Sequence, residues 1–254
     1  MQETIEIAGR FCGPPDSGNG GYVAGLLAAR ADRRGPVRVR LCRPPPLDTA
    51  LQVRRTTTGI TELVWADETI ATAAPAELPS VTSRWTSFEV AQSLSRSYPG
   101  FRRHPFPGCF VCGPDRAPGD GLRIFPGPWH SGHVVAAWIP DATLGSGDGT
   151  VLPEHVWAAL DCPGYFAVAA DGRPMLLGEI TARLARAVRI GESCVVVGWR
   201  IASAGRKHQV GTAIYGEGRR LCGTAVALWI EPRPALQSLA PSESSLEGIT
   251  VHAA

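Results

Sequence analysis

At 254 residues, with 44% hydrophobic and 19% charged residues, the chain has length for one large domain or two small ones, each with a proper core. A formal net charge of +2 gives no bulk drive toward nucleic acid or an acidic membrane surface, and there is no run of about 18 apolar residues to cross a bilayer. Met1-Gln2-Glu3-Thr4 lacks the basic and apolar regions of a signal peptide, so the seven cysteines read as reduced thiols of a cytoplasmic protein.

Residues Glu3 to Phe11 alternate, with Ile5 and Ile7 on one face, and read as a first strand. Cys12 to Gly18 is a loop by composition. Asn19-Gly20-Gly21-Tyr22-Val23-Ala24-Gly25-Leu26-Leu27-Ala28-Ala29-Arg30 then predicts a helix, with Asn19 as N-cap and no charge before Arg30. Such a helix is buried on most faces. Arg33, Arg34, Gly35 and Pro36 suit its end. Val37 to Leu41, Leu51 to Thr58, Glu62 to Trp65 and Thr69 to Ala74 read as strands, with a turn at Asp67-Glu68. Pro44-Pro45-Pro46 interrupts the first of these.

From Pro75 to Pro128 the pattern decays into Pro- and Gly-rich sequence with one short helix near Phe88 to Leu94. A loop-rich stretch of this length reads as a connector between two units. The order then restarts. Leu122 to Phe125 and His133 to Ile139 read as strands, and Val156 to Ala170 as a helix interrupted at Cys162-Pro163-Gly164. Met175 to Arg186, Ser193 to Ile201, His208 to Tyr215 and Leu221 to Ile230 read as strands, the last pair joined at Gly216-Glu217-Gly218. Polar, Ser-rich residues follow as a loose tail. The expected organisation is therefore 1–80, a connector at 81–119, 120–232, and a tail at 233–254.

Sliding the chain by about 143 residues aligns the two restarts without a gap. Gly21-Tyr22 falls on Gly164-Tyr165, Ala24 on Ala167, Leu41 on Leu184 and Arg43 on Arg186. Each copy would be one apolar helix followed by about four antiparallel strands. That is an α+β arrangement with the helix against one face of a sheet, and two such sheets would pair edge to edge.

Asn19-Gly20-Gly21 before a buried helix resembles the loop-to-helix motif of hotdog-fold thioesterases. The string from Gly13 to Gly25, Cys109-Phe110-Val111-Cys112-Gly113, and Asp120 to Phe125 resemble bacterial acyl-CoA thioesterase-like proteins with two hotdog modules in one chain. The resemblance covers roughly residues 5 to 232. It implies a tandem (double) hotdog, with two central helices each wrapped by a curved antiparallel sheet. It also implies hydrolysis of an acyl-CoA-type thioester with no cofactor. Nucleic acid and membrane are not expected partners, and association into a homo-oligomer stays open. The other readings are a non-catalytic acyl-CoA binding protein and an enoyl thioester hydratase or dehydratase. The last is disfavoured because no Asp-x-x-x-x-His signature stands beside an expected helix.

The candidate catalytic residues are Asn19, Gly20, Gly21 and Asp161. Free N–H groups at Gly20 and Gly21, at a helix N-terminus, suit a developing oxyanion; the bland alternative is a capped helix with tight glycine packing. Asp161, acidic among apolar residues at a helix break, resembles the Asp or Glu that acts as general base or nucleophile from the other module. Its bland alternative is an N-cap for a helix starting near Pro163. Glu154 and Glu179 are weaker candidates. Cys109 and Cys112 with His130 and His133 make a Cys₂His₂ set that zinc would accept, but the spacing between the pairs exceeds the usual range and packing is the simpler role, so no metal is expected. Cys162 lacks an obvious His partner as a nucleophile. Arg206 and Lys207, in a turn before a strand, could meet coenzyme A phosphates or simply be solvated.

Overall fold

The computed structural model describes residues 3–31, 35–80 and 83–233. The strands are β1 (Thr4–Glu6), β2 (Val37–Leu41), β3 (Ala50–Arg55), β4 (Thr61–Trp65), β5 (Glu68–Pro75), β6 (Gly127–His130), β7 (His133–Trp138), β8 (Leu176–Leu184), β9 (Cys194–Ala204), β10 (Lys207–Gly216) and β11 (Arg220–Ile230). The helices are α1 (Gly20–Ala28), α2 (Phe88–Ser95), α3 (Pro153–Ala159) and α4 (Cys162–Phe166). Among the described residues, no helix is long and apolar enough to cross a membrane.

The eleven strands among the described residues join one antiparallel sheet in the order β1-β3-β4-β5-β2-β8-β11-β10-β9-β7-β6. Numbering β7 to β11 afresh as one to five turns the second run, β8-β11-β10-β9-β7, into the mirror image of β1-β3-β4-β5-β2. The two runs meet where β2 pairs with β8. There Arg38 stands opposite Thr181, Val37 opposite Ala182, and Val39 opposite Ile180. Arg38 and Thr181 are 143 positions apart (181 − 38), and the flanking pairs exchange under the same offset. The register is thus symmetric about the positions that the sequence offset equates.

The helix α1 forms where the sequence predicts. Asn19 caps it, its Oδ1 accepting the Tyr22 N–H at 2.9 Å. Seven of its nine residues are buried, with Val23, Ala24 and Leu27 fully so. It packs on α3, β2, β5 and β8. It stops at Ala28, before the predicted basic end, because the Arg30 and Ala31 N–H groups turn back to Leu27 and Ala28 and tighten the last turn. Residues 32–34 of that predicted end lie outside the described residues, as does the tail beyond Arg233.

In the second run both faces of the sheet are covered. One face carries the main core under α4. On the other, α2 sits on β6, β7 and β9, burying Ala91 against Val135, Val195, Val197, Trp199 and Ala213. Strands buried on both faces read as continuous apolar runs, as Val195-Val196-Val197 does. In the first run the face opposite α1 keeps Arg38, Arg40 and Arg54 exposed, while Arg55, the next residue along β3, points the other way and donates to the Arg30 carbonyl at 3.1 Å.

Four local expectations change. The first strand is only three residues long and gives way to a 3₁₀ turn at Gly9–Phe11. The β4–β5 turn centres on Ala66 and Asp67, both left-handed (φ 48° and 62°), one residue earlier than predicted. Leu122 to Phe125 is no strand of the sheet: its N–H groups at Leu122 and Ile124 bond the carbonyls of Phe110 and Val111, so the segment pairs with the Cys109–Cys112 turn instead. The break in the second helix falls at Leu160-Asp161 rather than at Cys162-Pro163-Gly164. Pro163 fits the first turn of a new helix, where a missing N–H costs nothing. Thr212 Oγ1 donates to the Leu160 carbonyl at 2.7 Å, satisfying a group the break frees.

Candidate functional site

The helix break places Asp161 at the N-cap position of α4, but its side chain makes no cap. It turns instead toward α1. Oδ2 of Asp161 accepts the Gly21 backbone N–H at 3.0 Å and Asn19 Nδ2 at 3.0 Å. The N-cap alternative for Asp161 is therefore set aside. Its side chain crosses to a helix about 140 residues earlier in sequence, which no local signal announces. The geometry assembles Asn19, Gly21 and Asp161 into one buried cluster, with Asn19 3% and Asp161 1% exposed. Asn19 serves both ends of it, accepting from Tyr22 and donating to Asp161.

Glycine is required here for space. A Cβ on Gly21 would stand 2.5 Å from Asp161 Cβ and 2.9 Å from the Trp157 carbonyl oxygen, and one on Gly25 would stand 2.6 Å from Glu154 Cα. Gly21 and Gly25, one turn apart, let α1 and α3 approach this closely. The tight-packing role and the N–H donor role thus coexist at Gly21. Gly20 faces the side chains of Leu41 and Leu177, and with Leu41 it is half-buried, so this rim is the part of the cluster nearest solvent.

The electrostatics follow from burial. Desolvation pushes the Asp161 carboxyl up to about 7, against the lowering pull of the Gly21 N–H and the Asn19 amide. Its second oxygen, Oδ1, is buried and has no hydrogen-bond partner among the described residues. An unpaired buried carboxylate oxygen is costly, and such groups concentrate where a reaction or a ligand uses them. On the far side of Gly21, Tyr22 stacks on His155 with ring centroids 5.7 Å apart, in a cluster with Phe11 and Phe110. His155 is 4% exposed, and burial holds its pKa down, so it is a neutral core imidazole.

Beside this cluster lies a second one. The sulfurs of Cys109, Cys112 and Cys162 are within 4.8 Å of one another, all buried, with Cys109 and Cys162 3.8 Å apart. Asn19 Nδ2 lies 4.0 Å from both Cys109 Sγ and Cys162 Sγ. His104 Nε2 lies 3.3 Å from Cys112 Sγ. The expected grouping of Cys109 and Cys112 with His130 and His133 does not form. Those two histidines face each other across the β6–β7 edge hairpin. The partners of the Cys-x-x-Cys pair are Cys162 and His104, which linear spacing could not select. A faint signal existed for Cys162: the 143-residue offset lays it on Asn19, and the two side chains touch.

The remaining candidates lie apart. Glu154 occupies the first turn of α3, and Glu179 faces out of the sheet beside Arg38, lining a groove of about 450 Å³ on the face opposite Asp161. Arg206 and Lys207 are exposed at the β9–β10 turn. Arg206 is tied to the Glu231 carbonyl at 2.7 Å, while His208 is buried between Ser203 and Glu231. No contact among the described residues links this turn to Asp161.

Replacing Asn19 by Ala removes the α1 cap and one of the two partners of the buried Asp161. Thermal unfolding is expected to show a loss of about 1–2 kcal/mol. An unchanged melting temperature would mean that neither bond contributes.

A helix buried against a continuous antiparallel sheet fits a hotdog-type α+β fold. No family model and no curated protein matches the chain. Solved structures do. The tesB protein of Mycobacterium avium subsp. paratuberculosis aligns at 16% identity and TM-score 0.59, covering 91% of this chain and 93% of that one. A protein of Novosphingobium aromaticivorans provisionally described as a thioesterase aligns at 13% identity and TM-score 0.60, over 91% and 96%. A similarly described thioesterase II of Thermobifida fusca aligns at 15% identity and TM-score 0.57, over 91% and 92%. At these identities the likeness is one of fold, and it runs through nearly the whole of each chain.

Proposed function

We propose that the protein hydrolyses an acyl-CoA-type thioester at the junction of two hotdog modules, roughly residues 1–80 and 120–232, joined by 81–119. The observation that carries this reading is the Asp161 carboxylate, delivered from the α3–α4 break to the Gly21 N–H at the start of α1. The mirrored strand order and the symmetric β2–β8 register support the two-module reading.

The thioester carbonyl oxygen would take over the Gly21 N–H, displacing Asp161 Oδ2. Donors fixed at a helix start stabilise an oxyanion without reorganising as charge develops. Asp161, held by Asn19, would then accept a proton from water as that water attacks the carbonyl carbon. The carbon–sulfur bond breaks, and Asp161 returns the proton it took to the leaving sulfur, so that a thiol departs and the carboxylate is restored. Direct attack by the carboxylate is the variant of the same arrangement. Entry would run past Gly20, with Leu41 and Leu177 moving aside. A Cβ on Gly20 would stand 2.9 Å from a methyl group of each of these leucines.

A second reading is an acyl-CoA binding protein without turnover. The occupied Gly21 N–H and the full burial of Asp161 favour it, since both must be undone before chemistry. A panel of acyl-CoA esters separates the two by thiol release alongside thermal shift. Release of thiol by the wild type supports hydrolysis. Stabilisation without release supports binding, and neither response sinks both. In the same panel, replacing Arg206 and Lys207 together by Glu is expected to raise KM for CoA esters several-fold with kcat unchanged, if these exposed cations meet the phosphates.

A further inference from the structure

The three buried sulfurs lie outside the proposed hydrolytic chemistry. Cys109 and Cys112 belong to the turn Cys109-Phe110-Val111-Cys112-Gly113, in which the Gly113 N–H bonds the Cys109 carbonyl at 2.9 Å. Gly113 admits no side chain there: a Cβ would stand 2.5 Å from that same carbonyl oxygen. The third sulfur comes from Cys162, the first residue of α4. The 3.8 Å between Cys109 and Cys162 is roughly what two thiolates at about 2.3 Å from one tetrahedral ion would show.

Each sulfur also faces an N–H donor. The Val111 and Cys112 backbone N–H groups point at Cys109, and Asn19 Nδ2 stands beside the Cys109–Cys162 pair, 4.0 Å from each sulfur. His104 Nδ1 accepts the Phe106 N–H at 2.9 Å, so its Nε2 carries the proton and donates to Cys112. Donors converging on all three sulfurs are what buried thiolates need, and they correspond to the outer shell of a metal–thiolate site. A disulfide would use two of the sulfurs and leave the third buried with no role.

We propose that Cys109, Cys112 and Cys162 bind one thiophilic divalent ion, zinc by preference, with the fourth position held by a ligand from outside this set. Zinc accepts three thiolates and an exchangeable fourth ligand. The ion replaces thiol protons, so its uptake releases them and is favoured by rising pH. It ties the 105–113 loop to the start of α4.

The test is metal analysis of the full chain, purified without a histidine tag. About one zinc per chain is expected. Replacing zinc by cobalt in the wild type should give a thiolate-to-cobalt charge-transfer band in the near ultraviolet, and Cys162→Ser should lose both metal and band. Because that variant could fail to fold, a mercurial thiol reagent added to the wild type should release the zinc in step with modification of these three cysteines. Substoichiometric metal with no cobalt band overturns the proposal. So does a Cys109–Cys112 or Cys109–Cys162 disulfide in the purified protein, or metal retained by folded Cys162→Ser. None of these readouts depends on thioester turnover.

Discussion

Asp161→Asn should lower kcat/KM for a thioester substrate by roughly 10²–10⁴-fold, the range for losing a positioned general base, while leaving the melting temperature unchanged or raised. The substitution is nearly isosteric. The amide oxygen can still accept from Gly21 and Asn19, whose bonds to Asp161 are 3.0 Å each. What disappears is the charge, which is 1% exposed and carries one oxygen without a partner. A carboxyl pushed up to about 7 by burial is a group the fold holds at a cost. A residue kept only for its packing and these two bonds, which Asn preserves, would leave kcat/KM unchanged. Thermal unfolding and steady-state kinetics on the same preparation decide between them. Equal activity in the variant would remove Asp161 from the mechanism; lost activity together with a large loss of stability would make its role structural.

The second large effect is on stability. Gly25→Ala should destabilise the protein by about 3 kcal/mol, the upper range for overpacking a filled core. Helix propensity alone predicts the reverse, a gain of up to about 1 kcal/mol for Ala over Gly. Packing wins because the new methyl would stand 2.6 Å from Glu154 Cα, a backbone atom of α3, and 2.8 Å from Trp157 Cβ. Neither can be relieved by turning a side chain, so the two helices must separate. At roughly 2–4 °C per kcal/mol for a chain of this size, the melting temperature should fall by about 6–12 °C. A variant as stable as the wild type would show that α1 and α3 do not pack this closely.

Much of the element list was legible from local pattern. The run from Gly20 to Ala28 has no charge and few polar atoms, so only a buried helix suits it, and Asn19 marks its start. Val37 to Leu41 reads as a strand and is one, with both valines buried and both arginines exposed. The offset of 143 equated Arg38 with Thr181, and they are paired across the centre of the sheet. Where local signals failed, a long-range partner had overridden them. Leu122 to Phe125 has strand-like composition but pairs with the Cys109–Cys112 turn. Asp161 before Pro163 looks like a cap but bonds to α1.

The sequence by itself determined the buried helix, the class of the fold and two members of the buried cluster, Asn19 and Gly21, because capping and glycine usage are local. The resemblance put Asp161 in one candidate set with Gly20 and Gly21, but the contact between Asp161 and Gly21 comes from the tertiary structure, which alone decided that Cys162 and His104, rather than His130 and His133, join Cys109 and Cys112. The physical reason is the same in each case. A side chain's partner across the packed core is set by how α1, α3 and α4 settle on the sheet, and that depends on many distant contacts at once.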